Sequence, residues 1–366
     1  MFLALREIKH AKIRYLLIGL IMVLISFLVL FVSGLAKGLS SDNASSIQRM
    51  NANYIVLDKE SDLRLNRSQL SEKKLRVIAS YADRNQVTPL TIQMTTVKKE
   101  GSSQKLDSTV FAVDPTSFLA PSAVEGKPLQ QAQINEAVGD LSLKEDGFQI
   151  GDRITEETSG RVVTLIGFTK DQSYSHSPVL HLSLKTWKAM HTGKQDSQHI
   201  YNAAALNGNK TVAKQIENHV QGTEVISKGQ VLKSIPGYKE EQGSLLMMII
   251  FLFVIAAFVL SVFFYVITLQ KVNQFGVLKA IGAKSGYLSR TVVYQVLSLT
   301  MVSLIISIIL TFTVANLLPA GMPFVLSIPL ITGCSILFLT VSVIGSLISL
   351  YQVIKIDAVE AIGRAA

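Results

Sequence analysis

Charge and cysteine are what this 366-residue sequence is short of. Acidic and basic residues make up only 17% of it, while 49% is hydrophobic; soluble domains carry about 25% charged residues. Its one cysteine, Cys334, excludes an intramolecular disulfide framework and a Cys-based zinc site. The missing charge is concentrated in four runs with no Asp, Glu, Lys, Arg or His: Tyr15 to Ala36, Ser244 to Leu269, Thr291 to Leu318 and Leu326 to Tyr351. A bilayer core needs about 20 apolar residues per helix, and each run exceeds that. Buried helices of a soluble protein rarely run so far without a charge. The first run follows Arg6, Lys9, Lys12 and Arg14 as a signal peptide would. It is longer than the roughly 7–15 residues of a signal core and reads as an uncleaved anchor. Intramembrane ionisable groups mark ion pathways and proton relays, so their absence argues against a proton-coupled carrier or a channel.

The charge that is present is informative in its placement. The net is +9, from 35 Lys+Arg against 26 Asp+Glu. Residues 1–37 carry +4 of it and the loop 270–290, with Lys271, Lys279, Lys284 and Arg290, another +4. The block 38–243 is nearly balanced at +1, and the tail after Tyr351 is neutral. Nucleic acid is thereby excluded as a partner, because the surplus sits in two short segments flanking apolar runs. Basic short loops stay cytoplasmic. The expected arrangement is therefore an α-helical membrane protein with four transmembrane helices and an α+β extracytoplasmic domain inserted between helices 1 and 2. The expected segments are a cytosolic amphipathic helix 1–14, spans 15–37, 244–269, 291–318 and 326–351, an outer domain 38–243, an inner segment 270–290, an outer turn 319–325 and a cytosolic tail 352–366.

Within the block, Asn53–Leu57, Val87–Met94, Arg161–Phe168, Val179–Leu184 and Glu224–Ser227 read as strands. Ser68–Arg84 and Thr211–Val220 read as helices, and Glu136–Leu143 reads as a helix before a turn leading to a strand near Ile154. In the inner segment Val272, Phe275, Leu278 and Ile281 recur at helical spacing, with Lys271, Lys279 and Lys284 off that face and Gly282 placed to end the helix. Such a helix either lies on lipid or docks into a partner's groove. On the last span Ser342, Gly345, Ser346 and Ser349 set small residues on one side, suited to close helix packing.

Catalytic signatures are missing. A phosphate loop needs G-x-x-x-x-G-K-[ST] so that backbone N–H groups cradle phosphate. Around Lys284 the two glycine positions hold Leu278 and Ala283. Neither H-E-x-x-H nor G-x-S-x-G occurs, and a non-catalytic subunit with no metal of its own is expected.

The segment Gln274 to Lys284 (QFGVLKAIGAK) resembles the coupling segment of the MacB/FtsX-type permease subunits of ABC transporters. The tail Ile356 to Gly363 is similar to their C-terminal signature, with Ala358 where proline is usual, and Ile134–Ile154 resembles part of their outer domain. Together with one span, a large domain and three further spans, the likeness covers essentially the whole chain. Leu3–Ile8, Phe31–Ala36, Tyr174–Pro178 and Phe263–Lys271 are most similar to the haem-efflux branch found in Gram-positive bacteria.

The resemblance implies a homodimer in lipid on two copies of a cytosolic ATPase that binds ATP and Mg. Phe275, Gly276, Leu278, Lys279, Ala280, Ile281 and Gly282 would couple to that ATPase, and motion would pass to the outer domains by mechanotransmission. Haem would be substrate, not intrinsic cofactor. Iron accepts His, Tyr, Met or Cys, the propionates want basic partners, and the membrane-facing end of the outer domain is the expected place, so Tyr174, His176, Tyr238, Glu241, Met247, Met248, Arg49 and Met50 are the haem candidates. Tyr174 and His176 are expected in a flexible polar cluster. Two alternatives stay open: export of an antimicrobial peptide, lipid or lipoprotein, and signalling to a cell-wall hydrolase.

Overall fold

The computed structural model describes residues 12–83, 85–191, 199–319 and 322–354. Most of the expected N-terminal amphipathic helix, the tail from residue 355 onward and part of the outer turn lie outside the described residues. The chain forms two compact units. One comprises residues up to Gly38 and from Gly243 onward, the other Leu39–Gln242.

Among the described residues, four helices are long and apolar enough to cross a membrane: Lys12–Arg49, Tyr238–Gln270, Ser285–Ala315 and Ile328–Ile354. Within the membrane unit their shared core is Ile18, Met22, Leu260, Phe264, Val292, Val296 and Phe338 with their neighbours. Hydrocarbon supplies no hydrogen-bond partners, so buried hydroxyls turn back onto their own helix. Ser26 donates to Met22 O, Thr300 to Val296 O and Ser342 to Phe338 O, each at 2.7–2.8 Å. Gly345 faces Ser261, whose Oγ lies 2.8 Å from where a Cβ would sit. The second helix buries only Ala256, Leu260, Phe264 and Thr268, a single four-residue stripe. A short helix, Val272–Ala280, follows it. Gly282 at φ +96° ends that helix, its N–H reaching Lys279 O and the Ala283 N–H reaching Leu278 O.

Among the described residues the inserted unit has thirteen strands: β1 (Tyr54–Asp58), β2 (Leu70–Ser71), β3 (Val87–Lys99), β4 (Lys105–Val113), β5 (Glu125–Gly126), β6 (Glu136–Asp140), β7 (Arg153–Glu156), β8 (Arg161–Thr169), β9 (Ser173–Tyr174), β10 (Ser177–Ser183), β11 (His199–Tyr201), β12 (Ala203–Leu206) and β13 (Thr223–Ser227). Its main sheet runs β13-β1-β12-β3-β4-β10-β6-β8-β5, with β9 on β10. β7 pairs with both β3 and β8, so β3, β4, β10, β6, β8 and β7 close into a ring. Period-two alternation divides each strand between two cores. Inside the ring lie Val110, Ala112, Leu180, Leu182, Leu165 and Phe168 with Trp187. On the outer face Leu90, Ile92, Phe111, Val113, Val138 and Val179 pack with Ala44, Ile47, Ile55 and Ala205.

Two local expectations are corrected. Glu136–Leu143 is not a helix. Residues 136–140 form β6, buried on both faces between β8 and β10, and only Ser142–Glu145 is helical. The helix expected over Ser68–Arg84 is confined to Glu72–Ser80, with the Ser71 hydroxyl accepting from Lys74 N as its cap.

The ring closes at β7 on a buried carboxylate. Glu156 is 0% exposed. It accepts from Thr95 Oγ1, from Thr158 N at 3.0 Å and from Ser159 N at 2.7 Å. Burial works to raise its pKa, but the donated hydrogen bonds outweigh it and hold the carboxyl below its ordinary value. A depressed folded pKa contributes stability that is present above the unfolded value and lost as pH falls through the folded one. Trp187 is the only tryptophan and lies in the ring core, so its fluorescence follows unfolding of this unit in the full chain. We expect the melting midpoint to fall on acidification through the carboxylate range. Glu156→Gln should cost about 1–3 kcal/mol at neutral pH and flatten the acid dependence. An unchanged pH profile in that variant would refute the assignment.

Candidate functional site

The polar part of the inserted unit gathers where the chain enters and leaves it. The helix Lys12–Arg49 is broken at Ala44 (φ −149°, ψ 18°). A broken helix strands carbonyls that need new donors. Ser40 O accepts from Gln48 Nε2 at 3.2 Å, Ser41 O from Ser173 Oγ at 3.2 Å and Asn43 O from Ser175 N at 2.7 Å. Ser45 Oγ also accepts from Ser173 N at 2.9 Å. The break is thus stitched to β9 and the turn after it.

That turn is tight, not flexible. Ser175 and His176 join β9 to β10 as a two-residue hairpin, both at positive φ (52° and 61°), the geometry in which Asn-Gly is favoured. Two side-chain residues held there cost local strain, which the surrounding contacts offset. His176 Nδ1 lies 2.8 Å from Asp42 Oδ2 and its Nε2 lies 3.4 Å from Glu241 Oε2. Glu241 Oε2 also accepts from Asn43 Nδ2 at 2.6 Å, while its buried Oε1 has no partner. Tyr238 Oη is 3.3 Å from Ser40 Oγ. His176 and Glu241 are therefore brought together, joined by Asp42 and Asn43, which the sequence did not single out, while Tyr238, one turn before Glu241, contacts Ser40.

The remaining candidates divide. Tyr174 is buried, edge-on to Phe111 with ring centres 5.6 Å apart, and burial pushes its phenol up to about 12. It is part of the core, not of a polar cluster, because β9 carries it inward. Arg49, paired with Asp171, and Met50 line a separate cavity of about 620 Å³. Met247 and Met248 belong to the membrane unit and are largely exposed.

The floor of that cavity holds a residue that sequence reasoning missed. His181 stands in register with Phe111 on β4 and Val138 on β6. It is 3% exposed, and neither ring nitrogen has a hydrogen-bond partner. Burial pushes its pKa down to about 3, so the imidazole is neutral at physiological pH. The only trace in the sequence is a histidine between Leu180 and Leu182. Strand alternation leaves its face undetermined.

In the membrane unit, Phe275 and Gly276 of the short helix are buried, Leu278 and Lys279 half-buried, and Ala280, Ile281 and Gly282 exposed. Phe275 belongs to the unit's own core, so the outward apolar groups are Val277 and Ile281, the latter 79% exposed. Lys271, expected off the apolar face, is buried. Its ammonium donates to Gln295 Oε1 at 2.7 Å and lies 5.8 Å from the Tyr15 ring centre, and Gln295 Nε2 donates to Tyr15 Oη. Beside this cluster a groove of about 390 Å³ opens between the short helix and residues 287–295.

Residues 246–358 match the FtsX-like permease C-terminal family. With four membrane-length helices and an inserted α+β unit, the chain is a membrane-embedded permease subunit of the ABC-transporter type. It is 34% identical over 365 residues to a relative from Staphylococcus haemolyticus, and 31% identical over 366 residues to one from Staphylococcus epidermidis. Both matches cover 99% of each chain, and both relatives carry the name hemin transport system permease protein HrtB. The chain belongs to the HrtB permease family. Among solved structures it is similar to the periplasmic region of MacB from Actinobacillus actinomycetemcomitans, with 15% identity, a TM-score of 0.37 and coverage of 52% of this chain and 95% of that one. It is also similar to the extracellular domain of the transporter YknZ, with 12% identity, a TM-score of 0.34 and coverage of 48% and 100%.

The geometry separates structural from functional substitutions. The Arg49–Asp171 pair is exposed, and such pairs contribute about 0–1 kcal/mol. Arg49→Ala should leave the Trp187 melt nearly unmoved. Asn43→Ala strips Glu241 of its 2.6 Å donor and should cost about 1–3 kcal/mol. Equal melts for the two variants would show that Asn43 is not a structural tie.

Proposed function

We propose that this chain is the membrane subunit of an ABC-type efflux complex that takes haem from the membrane and releases it outward, protecting the cell from haem. The observation that carries this reading is full-length identity to HrtB relatives named for hemin transport. In this reading two copies of the chain form a homodimer in lipid, as the sparsely buried second helix invites. The dimer sits on two cytosolic ATPase subunits that bind ATP and Mg, and the chain itself catalyses nothing. In this reading both termini and residues 270–290 lie in the cytosol and the inserted unit outside the cell, which the basic segments 1–37 and 270–290 support.

Coupling runs through the short helix. Phe275 anchors it in the membrane unit, while Val277, Ala280, Ile281 and Gly282 are outward groups for the ATPase to engage. Closure of the ATPase dimer displaces this helix, and the long helices transmit the motion to the outer units. At the entry and exit of that unit, Tyr238 and His176 supply iron-ligating atoms, and Glu241 has one carboxylate oxygen without a partner.

A deletion strain challenged in parallel with hemin, a bacitracin-like peptide and detergent tests the reading. We expect selective hemin sensitivity. The wild-type gene should restore growth, and the triple variant Tyr238→Phe/His176→Ala/Glu241→Gln should not. Peptide sensitivity or a cell-division defect without hemin sensitivity would replace haem as the substrate. Separately, Val277→Asp/Ile281→Asp should abolish co-purification of the ATPase while leaving the Trp187 melt unchanged. Retained co-purification would remove these two side chains from the interface.

A further inference from the structure

The cavity in the inserted unit is built as a ligand site, yet it is distinct from the His176–Glu241 cluster. Its volume of about 620 Å³ lies within the roughly 300–1,000 Å³ of small-molecule pockets. Its floor is the outer face of β4 and β10, with Phe111 and His181 side by side in register. Its walls are the last turn of the first helix, with Ser46, Arg49 and Met50, and the loop residues 118–124. Lys170 adds a second cation.

Buried polar groups normally find partners, and each exception calls for a reason. Two exceptions belong to residues of the cavity lining: both nitrogens of His181, and Ser46 Oγ, all buried in the wall beneath its surface. A buried neutral imidazole with a free lone pair is a metal ligand in waiting. Among the described residues, however, no three His, Cys, Asp or Glu side chains converge on one point. A bare ion would find too few ligands here. A metal that arrives already held by four equatorial nitrogens needs only one or two more, and Phe111, Val113, Phe118 and Leu119 give its macrocycle an apolar face beside the polar lining.

We infer that this cavity binds an iron porphyrin, with His181 as axial ligand and Arg49 and Lys170 pairing with the propionate carboxylates. The inference rests on the haem reading above and adds a second station in the outer unit.

The test uses the purified full-length chain in detergent, titrated with hemin and, separately, with metal-free protoporphyrin IX. Absorbance and electron paramagnetic resonance read the axial ligand. The wild type should show a histidine-ligated haem and prefer hemin to the metal-free ring. His181→Phe keeps an aromatic of similar size. It should lose the histidine signature and that preference, weakening hemin binding by on the order of tenfold or more. His181→Met, which retains a ligating atom, should restore hemin binding with an altered spectrum. The Tyr238→Phe/His176→Ala/Glu241→Gln variant should keep the His181 signature. A wild-type spectrum and affinity in His181→Phe, with an unchanged Trp187 melt, would overturn this site while leaving haem as substrate. Failure of the wild type to bind hemin at all would overturn both.

Discussion

The inserted unit depends on a helix that stops being regular at Ala44. A continuous helix would spend its carbonyls internally and present one unbroken rod. The break at Ala44 instead releases acceptors from Ser40, Ser41 and Asn43, and they are satisfied chiefly by β9 and its turn. Asp42 and Asn43, before the break, reach His176 and Glu241. Ser46, Arg49 and Met50, after it, wall the cavity over His181. One departure from helical geometry therefore fixes both polar regions of the unit. Ala44 itself and nearby Ile47 are fully buried in the outer-face core, which holds the break in a single conformation.

The membrane unit follows a different rule. Its polar groups are few and turned inward, with hydroxyls bonded to carbonyls one turn back and the Lys271–Gln295–Tyr15 cluster closed upon itself. The same helix end that buries Lys271 launches the short helix whose Phe275 is core and whose Ile281 is not. The segment is thus half embedded in the unit's core and half presented outward.

The four spans were legible because hydrocarbon tolerates no charge, and that rule acts on every residue of a run. The fate of β6 was not legible. Glu136-Ala-Val-Gly-Asp is buried on both faces, so it shows no alternation, and Ala137, Val138 and Leu141 fall at helical spacing. β4 begins Lys-Leu-Asp-Ser and resembles a loop until its last five residues. Among site residues, the sequence placed Tyr238 and Glu241 by their nearness to the second span, and His176 as part of a polar stretch before a strand. Asp42 and Asn43 became visible only with the helix break. His181 stayed hidden because a strand position gives no clue to its face until the register with Phe111 is known.

The six-stranded ring has a bearing on solubility in two dimensions. Proteins confined to a membrane meet their own copies at high effective concentration, and an open strand edge is a template for pairing with the next chain. Closing β7 onto β3 and β8 consumes the edges of those six strands. What remains at the sheet's margins is β13, five residues long and carrying Glu224, and the two-residue β5. The inserted unit can thus be crowded against identical neighbours without its backbone joining theirs, leaving side chains to decide who associates with whom.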